Sequence, residues 1–216
     1  MGNFMYPINL DIKGKKICVL GGGHVALRKI RTLLAEGAEV HLIAPEAHED
    51  LKGMADAGQL IWHKTVYQPG MLAGKGYLLV FCATDSCHVN EAAAAEARRA
   101  GALVNSIITP EDCDFQVPSR VCRGDLMLTV STGGSSPAFS RLIRQDLERN
   151  YSEVWGQWLK IQAGLRMELK AKVTVSKQRE ALWHSLMSER LIDLIKLGKL
   201  DQAEEELRNA INSFRP

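Results

Sequence analysis

The stretch Gly21-Gly22-Gly23-His24-Val25-Ala26, with its flanks, constrains the fold of this chain more than any other feature. Ahead of it, Lys16-Ile17-Cys18-Val19-Leu20 is a short apolar run that reads as a buried strand. Behind it, residues 27–35 carry apolar side chains at helical spacing, closed by Gly37. Strand, glycine turn and helix in this order match the Gly-x-Gly-x-x-Ala fingerprint for a dinucleotide, at Gly21, Gly23 and Ala26. Gly21 permits the tight turn, Gly23 leaves room for a pyrophosphate against the backbone, and Ala26 lets helix and strand pack closely. The helix start at His24 and Val25 offers N–H groups and a partial positive charge to the phosphates.

A second strand is expected next, and Glu39-Val40-His41-Leu42-Ile43-Ala44 supplies it. It ends at Ala44-Pro45, and the nearest acid for a ribose is Glu46. No arginine stands there to receive a 2′-phosphate, which favours NAD over NADP, held partly by backbone around Pro45 and Glu46. Residues 46–57 read as a helix and Leu60-Ile61-Trp62-His63 as a short strand. The continuous apolar run at 77–83 fits a central strand covered on both faces. Thr84 and Asp85 follow at its carboxyl end, and Ser86 or Asp85 can cap the alanine-rich helix that runs to Ala100. Leu103-Val104-Asn105-Ser106 resumes as a strand. The alternation predicts an α/β fold, a Rossmann-type doubly wound parallel sheet. Its ligand crevice lies at the carboxyl ends of the strands, which gathers Gly21, Gly23, His24, Val25, Pro45, Glu46, Thr84, Asp85 and the Asn105 loop.

Bulk properties exclude several classes. Net charge is +2, and no basic stripe is interleaved with aromatics, so nucleic acid is not an expected partner. No apolar run is long enough to span a bilayer, and no basic segment followed by an apolar stretch opens the chain. The five cysteines form no Cys-x-x-Cys, and Cys18 and Cys82 fall in expected strands as small hydrophobes, which suits a reducing cytoplasm. The histidines are scattered, so no metal site is expected.

The pattern changes after residue 115. Arg123-Gly124-Asp125 reads as a turn and Leu126-Met127-Leu128-Thr129-Val130 as a strand. Ser131-Thr132-Gly133-Gly134-Ser135-Ser136-Pro137 follows, with Ser136 a natural N-cap and Pro137 a natural first helical residue. A second Gly/Ser turn at a helix start is either a second anion site or simply a well-capped helix. From Tyr151 onward only helix signals occur: Trp155, Trp158, Leu159 and Leu165 can share one face, and Leu191, Leu194, Ile195 and Leu197 another. Asp201-Gln202-Ala203-Glu204 has the form of a capping box.

These motifs, in order, resemble one family. Gly21-Gly22-Gly23-His24-Val25-Ala26-x-Arg28-Lys29, Ala83-Thr84-Asp85, Asn105, Cys113-Asp114-Phe115-Gln116-Val117-Pro118 and the Ser131–Pro137 turn resemble the precorrin-2 dehydrogenases, the siroheme-synthase type. The resemblance covers residues 5–150, and the helical tail matches in kind. It implies a Rossmann domain over 1–115, a central dimerisation segment over 116–150 and a helical C-terminal domain over 151–216, in a homodimer. It also implies oxidation of precorrin-2 to sirohydrochlorin with NAD as hydride acceptor, and in several members insertion of ferrous iron. A carboxylate-rich tetrapyrrole needs cations and N–H donors. Arg120, Arg123, Arg141 and Arg144 lie around the second glycine turn, with Arg141 and Arg144 on one side of a helix. Together with this need, the resemblance implies Asn105, Thr132, Ser135, Arg141 and Arg144 as substrate residues.

One departure is chemical. The family's aspartate, three residues after the asparagine, is here Ile108, which can neither accept a proton nor ligate iron. Asp112 and Asp114 are the candidate replacements, if they are not loop caps. Hydride transfer is chemistry of the cofactor, so dehydrogenation is expected to tolerate the loss better than iron insertion does. The competing reading is a module that binds NAD or a tetrapyrrole without turnover, as a carrier or sensor.

Overall fold

The computed structural model describes residues 5–107 and 113–215. The chain divides after Val117 into two compact units.

The first unit is built on five parallel strands: β1 (Lys16–Leu20), β2 (Glu39–Ile43), β3 (Ile61–His63), β4 (Leu79–Cys82) and β5 (Leu103–Ser106). Their order in the sheet is β3-β2-β1-β4-β5. The chain moves outward from β1 to β3, then returns to the other side at β4, so the order reverses between β1 and β4. The period of two along β1 sorts the core. Ile17 and Val19 join Val40, Leu42 and Phe81 on one face, under helices α1 (His24–Ala35) and α2 (Glu49–Asp56). Cys18 and Leu20 join Ile43, Val80 and Val104 on the other, under α3 (Cys87–Arg99). All four residues of β4 are buried, as a central strand with two covered faces requires. Each buried Leu, Ile or Val contributes about 1.5–3 kcal/mol.

Two local differences from the sequence reading have clear causes. The helix expected from Glu46 starts only at Glu49, because the Glu46 and Ala47 backbone packs against the glycine turn. The connection from β3 to β4, residues 64–78, holds no helix. Leu72 and Tyr77 fill that side of the core instead.

The second unit opens with an antiparallel hairpin of β6 (Ser119–Arg123) and β7 (Leu126–Val130), joined by Gly124 at φ +56 and Asp125. Strand β6 was not expected. In Ser-Arg-Val-Cys-Arg only Val121 is buried, too weak a pattern to read. Helix α4 (Pro137–Asn150) packs on both strands. Helix α5 (Val154–Lys172) also lies on the hairpin, at Gly156, where a Cβ would stand 2.6 Å from the Arg123 carbonyl oxygen. Helices α6 (Ser176–Leu186), α7 (Glu189–Lys196) and α8 (Leu200–Ser213) complete a core around Trp158, Leu165, Leu169, Ile195, Leu207 and Ile211. Leu197, expected on that apolar face, is 68% exposed, since α7 ends there and the chain turns at Gly198 (φ +71). Asp201 is not the N-cap. Helix α8 opens at Leu200, and Asp201 lies in its first turn, where a negative charge suits the helix dipole. Among the described residues no helix is long and apolar enough to cross a membrane.

Candidate functional site

A crevice of about 620 Å³ opens at the carboxyl ends of the strands of the first unit. Gly21, Gly23, His24, Val25, Pro45, Glu46, Thr84 and Asp85, the eight residues expected at a cofactor, all line it.

The three glycines do different work. Gly21 sits at φ +96, and a Cβ there would meet the Ala83 carbonyl oxygen at 2.3 Å, so the turn folds against the end of β4. A Cβ on Gly22 would stand 2.1 Å from the Glu46 carbonyl oxygen, and the Gly22 carbonyl accepts the His48 N–H at 2.8 Å. The connection after β2 is thereby tied to the glycine turn. Gly23, the N-cap of α1, faces open space: nothing lies within 4 Å of where its Cβ would be. No side chain caps α1, so its first N–H groups remain for a ligand. His24 packs edge-on against His48, ring centroids 4.8 Å apart, at the same end of the unit.

The opposite side of the switch is fixed by a residue the sequence reading missed. Asn90 of α3, 2% exposed, accepts the Thr84 N–H at 3.2 Å and the Thr84 hydroxyl at 2.7 Å, and donates to the Thr84 carbonyl at 2.9 Å. Ser86 caps α3, its Oγ accepting the Val89 N–H at 3.4 Å. The available signal was an amide one turn into a helix that follows a strand end.

Val66 and Tyr67, in the connection after β3, also line the crevice. The Tyr67 hydroxyl donates to the carboxylate of Glu96 on α3. Glu96 also accepts the N–H groups of Gly70 (2.8 Å), Leu72 (2.6 Å) and Ala73 (2.9 Å). Burial alone would raise the Glu96 carboxyl, but the Tyr67 hydroxyl and these N–H donors outweigh it and hold it below the usual carboxylate value.

The remaining expected residues are differently engaged. Asn105 does not line the crevice: its Oδ1 accepts from Lys29 Nζ at 2.9 Å, and its amide donates to the Phe115 carbonyl at 3.0 Å. The Lys29 ammonium stands 4.6 Å from the Phe81 ring centroid, and burial pulls it below the ordinary lysine range. Asp114 accepts the Val104 N–H at 2.8 Å and pairs with Arg98 Nε at 3.1 Å, while its own N–H donates to the Val104 carbonyl at 2.9 Å. This is an anchor on β5, with the carboxylate turned to structural partners. Ile108 and Asp112 lie outside the described residues. Cys18 and Cys82 are buried thiols, Cys82 pushed up to about 12 by burial, and so are inert.

In the second unit the Thr132 hydroxyl accepts the Ser136 N–H at 3.2 Å and lies 3.0 Å from the Ser140 hydroxyl. Gly133 (φ +60) and Gly134 (φ +86) shape the turn, and Ser136 caps α4, accepting the Phe139 N–H at 3.3 Å. Ser135 and Arg141 are exposed. Arg144 pairs with Glu148, one turn along α4. Arg123 is a clamp: its Nε donates to the Tyr151 carbonyl at 2.7 Å and its terminal nitrogen to the Glu148 carbonyl at 3.3 Å, closing the C-terminus of α4.

Comparison with known proteins agrees with the glycine crevice. A family model described as NAD(P)-binding matches residues 8–119, more than half of the chain. Two more follow in order: the sirohaem biosynthesis protein central region over 123–150 and the sirohaem synthase dimerisation region over 154–211. The chain belongs to the siroheme-synthase type of NAD(P)-binding family. Within the family, siroheme synthase of Nitrosococcus oceani is 35% identical over 205 residues, covering 95% of this chain and 43% of that protein. Siroheme synthase of Photorhabdus laumondii is 33% identical with the same coverage. The chain thus spans less than half the length of these curated relatives. A solved structure, SirC, precorrin-2 dehydrogenase, superposes with a TM-score of 0.78 at 26% identity, over 97% of this chain and 100% of that one. The dimerisation description falls on the helices from α5 onward, C-terminal to the segment 116–150 on which dimerisation was expected.

Proposed function

We propose that this chain is an NAD-dependent precorrin-2 dehydrogenase, forming sirohydrochlorin in siroheme biosynthesis. The observation that carries the reading is the open position beside Gly23 in a crevice walled by fixed glycines. A pyrophosphate needs backbone N–H donors with no Cβ in the way, and the start of α1 supplies them. When bound, NAD supplies the hydride acceptor.

The chain's residues then bind and orient. Gly23, His24 and Val25 hold the pyrophosphate. Pro45 and Glu46 face the adenosine ribose, where a carboxylate suits a free 2′-hydroxyl and opposes a 2′-phosphate. Thr84, locked by Asn90, and Asp85 beside it border the nicotinamide half at the switch between β1 and β4. Asn105, Thr132, Ser135, Arg141 and Arg144 serve the substrate side: Asn105 by securing the end of β5 to Lys29, the others by meeting tetrapyrrole carboxylates. The protein acts as a homodimer in the cytoplasm.

A second reading has its own observation. Asp114 is committed to Arg98 and Val104, which argues against its replacing the acid absent at Ile108. A carrier or sensor would bind both ligands without turnover. Anaerobic incubation with precorrin-2 and NAD, followed in the visible spectrum, separates the two. Sirohydrochlorin formation supports the dehydrogenase. Tight binding of both ligands without product overturns it in favour of the carrier.

A further inference from the structure

The least expected carboxylate in the first unit is Glu96. It is 6% exposed and lies on α3, where the other buried residues are Asn90 and the alanines Ala93, Ala94 and Ala97. A buried carboxylate is costly unless every lone pair is used, and here four donors use them: the Tyr67 hydroxyl and the N–H groups of Gly70, Leu72 and Ala73. These donors belong to the one crossover of the sheet that has no helix. A turn of this kind has no ladder to satisfy its N–H groups, and one side chain from the neighbouring helix does so instead.

The clamp reaches the crevice. Tyr67 meets Glu96 through its hydroxyl while it also lines the crevice beside Val66. Both residues follow β3, which pairs with β2. In a fold of this type the adenosine ribose lies at the end of β2, so the adenine is placed on the β2–β3 side. Val66, 55% exposed, and the tyrosine ring offer the apolar surface that a flat base requires.

We propose that Glu96 is a positioning residue for the dinucleotide: by holding Tyr67 and the 70–73 turn, it sets the wall against which the adenine of the cofactor rests. The proposal deepens the dinucleotide reading above and rests on it. Glu96 itself touches no ligand. It acts through the tyrosine, and the reacting end of the cofactor lies elsewhere in the crevice. Burial and the adjacent Glu96 push the Tyr67 phenol far up, so it remains a donor throughout the physiological range.

The test is calorimetric titration of the full chain with NAD and with ADP, which carries the adenosine half alone. Wild type, Glu96→Gln, Tyr67→Phe and the double variant are compared. Tyr67→Phe keeps the ring and the fold and removes only the donor. Each single variant is expected to bind both NAD and ADP about tenfold more weakly, the scale of one lost charge-assisted hydrogen bond. The double variant is expected to be no weaker than the worse single one, because both remove the same link. In turnover, KM for NAD rises and kcat at saturation stays unchanged, a split that a purely structural clamp would not give. Wild-type affinity in Glu96→Gln and Tyr67→Phe, with only the melting temperature lowered, overturns the proposal and leaves the dinucleotide reading intact. Failure of wild type to bind either NAD or ADP overturns both.

Discussion

A Cβ placed on Gly22 would lie 2.1 Å from the carbonyl oxygen of Glu46, whereas one placed on Gly23 would meet nothing within 4 Å. Adjacent glycines therefore serve different ends, one for the fold and one for the ligand. Gly22→Ala is expected to unfold several degrees lower than wild type, because backbone must move on both sides of the contact. Gly23→Ala is expected to melt with wild type and to lose at least about tenfold in NAD affinity, or 1.4 kcal/mol. Thermal melts paired with titration of NAD check both. Equal NAD affinity in Gly23→Ala would remove the pyrophosphate from this turn.

Asn90 closes the other side of the crevice through three hydrogen bonds to Thr84. Asn90→Ala leaves the half-buried N–H and carbonyl of Thr84 without their side-chain partner and is expected to cost about 1–3 kcal/mol. Denaturant unfolding measures the cost. The same variant is expected to bind NAD more weakly, since Thr84 loses its fixed position at the crevice. An unchanged dissociation constant would place the cofactor away from this loop.

Asp114 separates the anchor from the catalyst. Asp114→Ala strands the Val104 N–H, at about 1–3 kcal/mol, while the half-exposed pair with Arg98 adds little. Stability is expected to fall and kcat to stay. A drop in kcat of about 10²–10⁴-fold, the scale of a lost general acid or base, would make Asp114 the missing catalytic acid.

Glu96 imposes a pH dependence whose sign is fixed. Its carboxyl titrates below the usual value in the folded protein, and an unfolded glutamate titrates near 4.3. The folded state thus binds the proton less well, and Glu96 contributes stability that is complete above that unfolded value. The contribution is lost as pH falls through the folded value. The stability gap between wild type and Glu96→Gln is therefore expected to narrow on acidification from neutral pH. A gap constant down to the acid transition would mean that the clamp carries no charge.

The part of the molecule legible in the sequence is the part encoded locally. Strand, glycine turn and helix at 16–35 are contiguous, and the eight residues placed on one crevice follow from strand ends alone. What the sequence does not mark depends on distant partners. Glu96 bonds N–H groups 23 to 26 residues away, and no local pattern marks a carboxylate for that role. Gly22 stands at a variable position of the fingerprint, and its need for glycine comes from the distant Glu46 backbone. Arg123 read as one of several cations, but it closes a helix that ends 27 residues later. Asn105 reads in the sequence as a substrate residue at the crevice and Asp114 as a candidate acid, whereas their partners, Lys29, Arg98 and Val104, are set by the fold.

The anchoring of Asp114 has a consequence for assembly. Strand β5 ends the sheet, and such a strand usually presents free N–H and carbonyl groups to any passing chain. Here the backbone and carboxylate of Asp114 take up both polar groups of Val104, so a side chain stands in for part of a sixth strand. At the other end of the sheet, β3 has only three residues, and shortness is itself a defence against strand addition. The sheet is guarded at both margins against edge-to-edge aggregation by means that leave its crevice open.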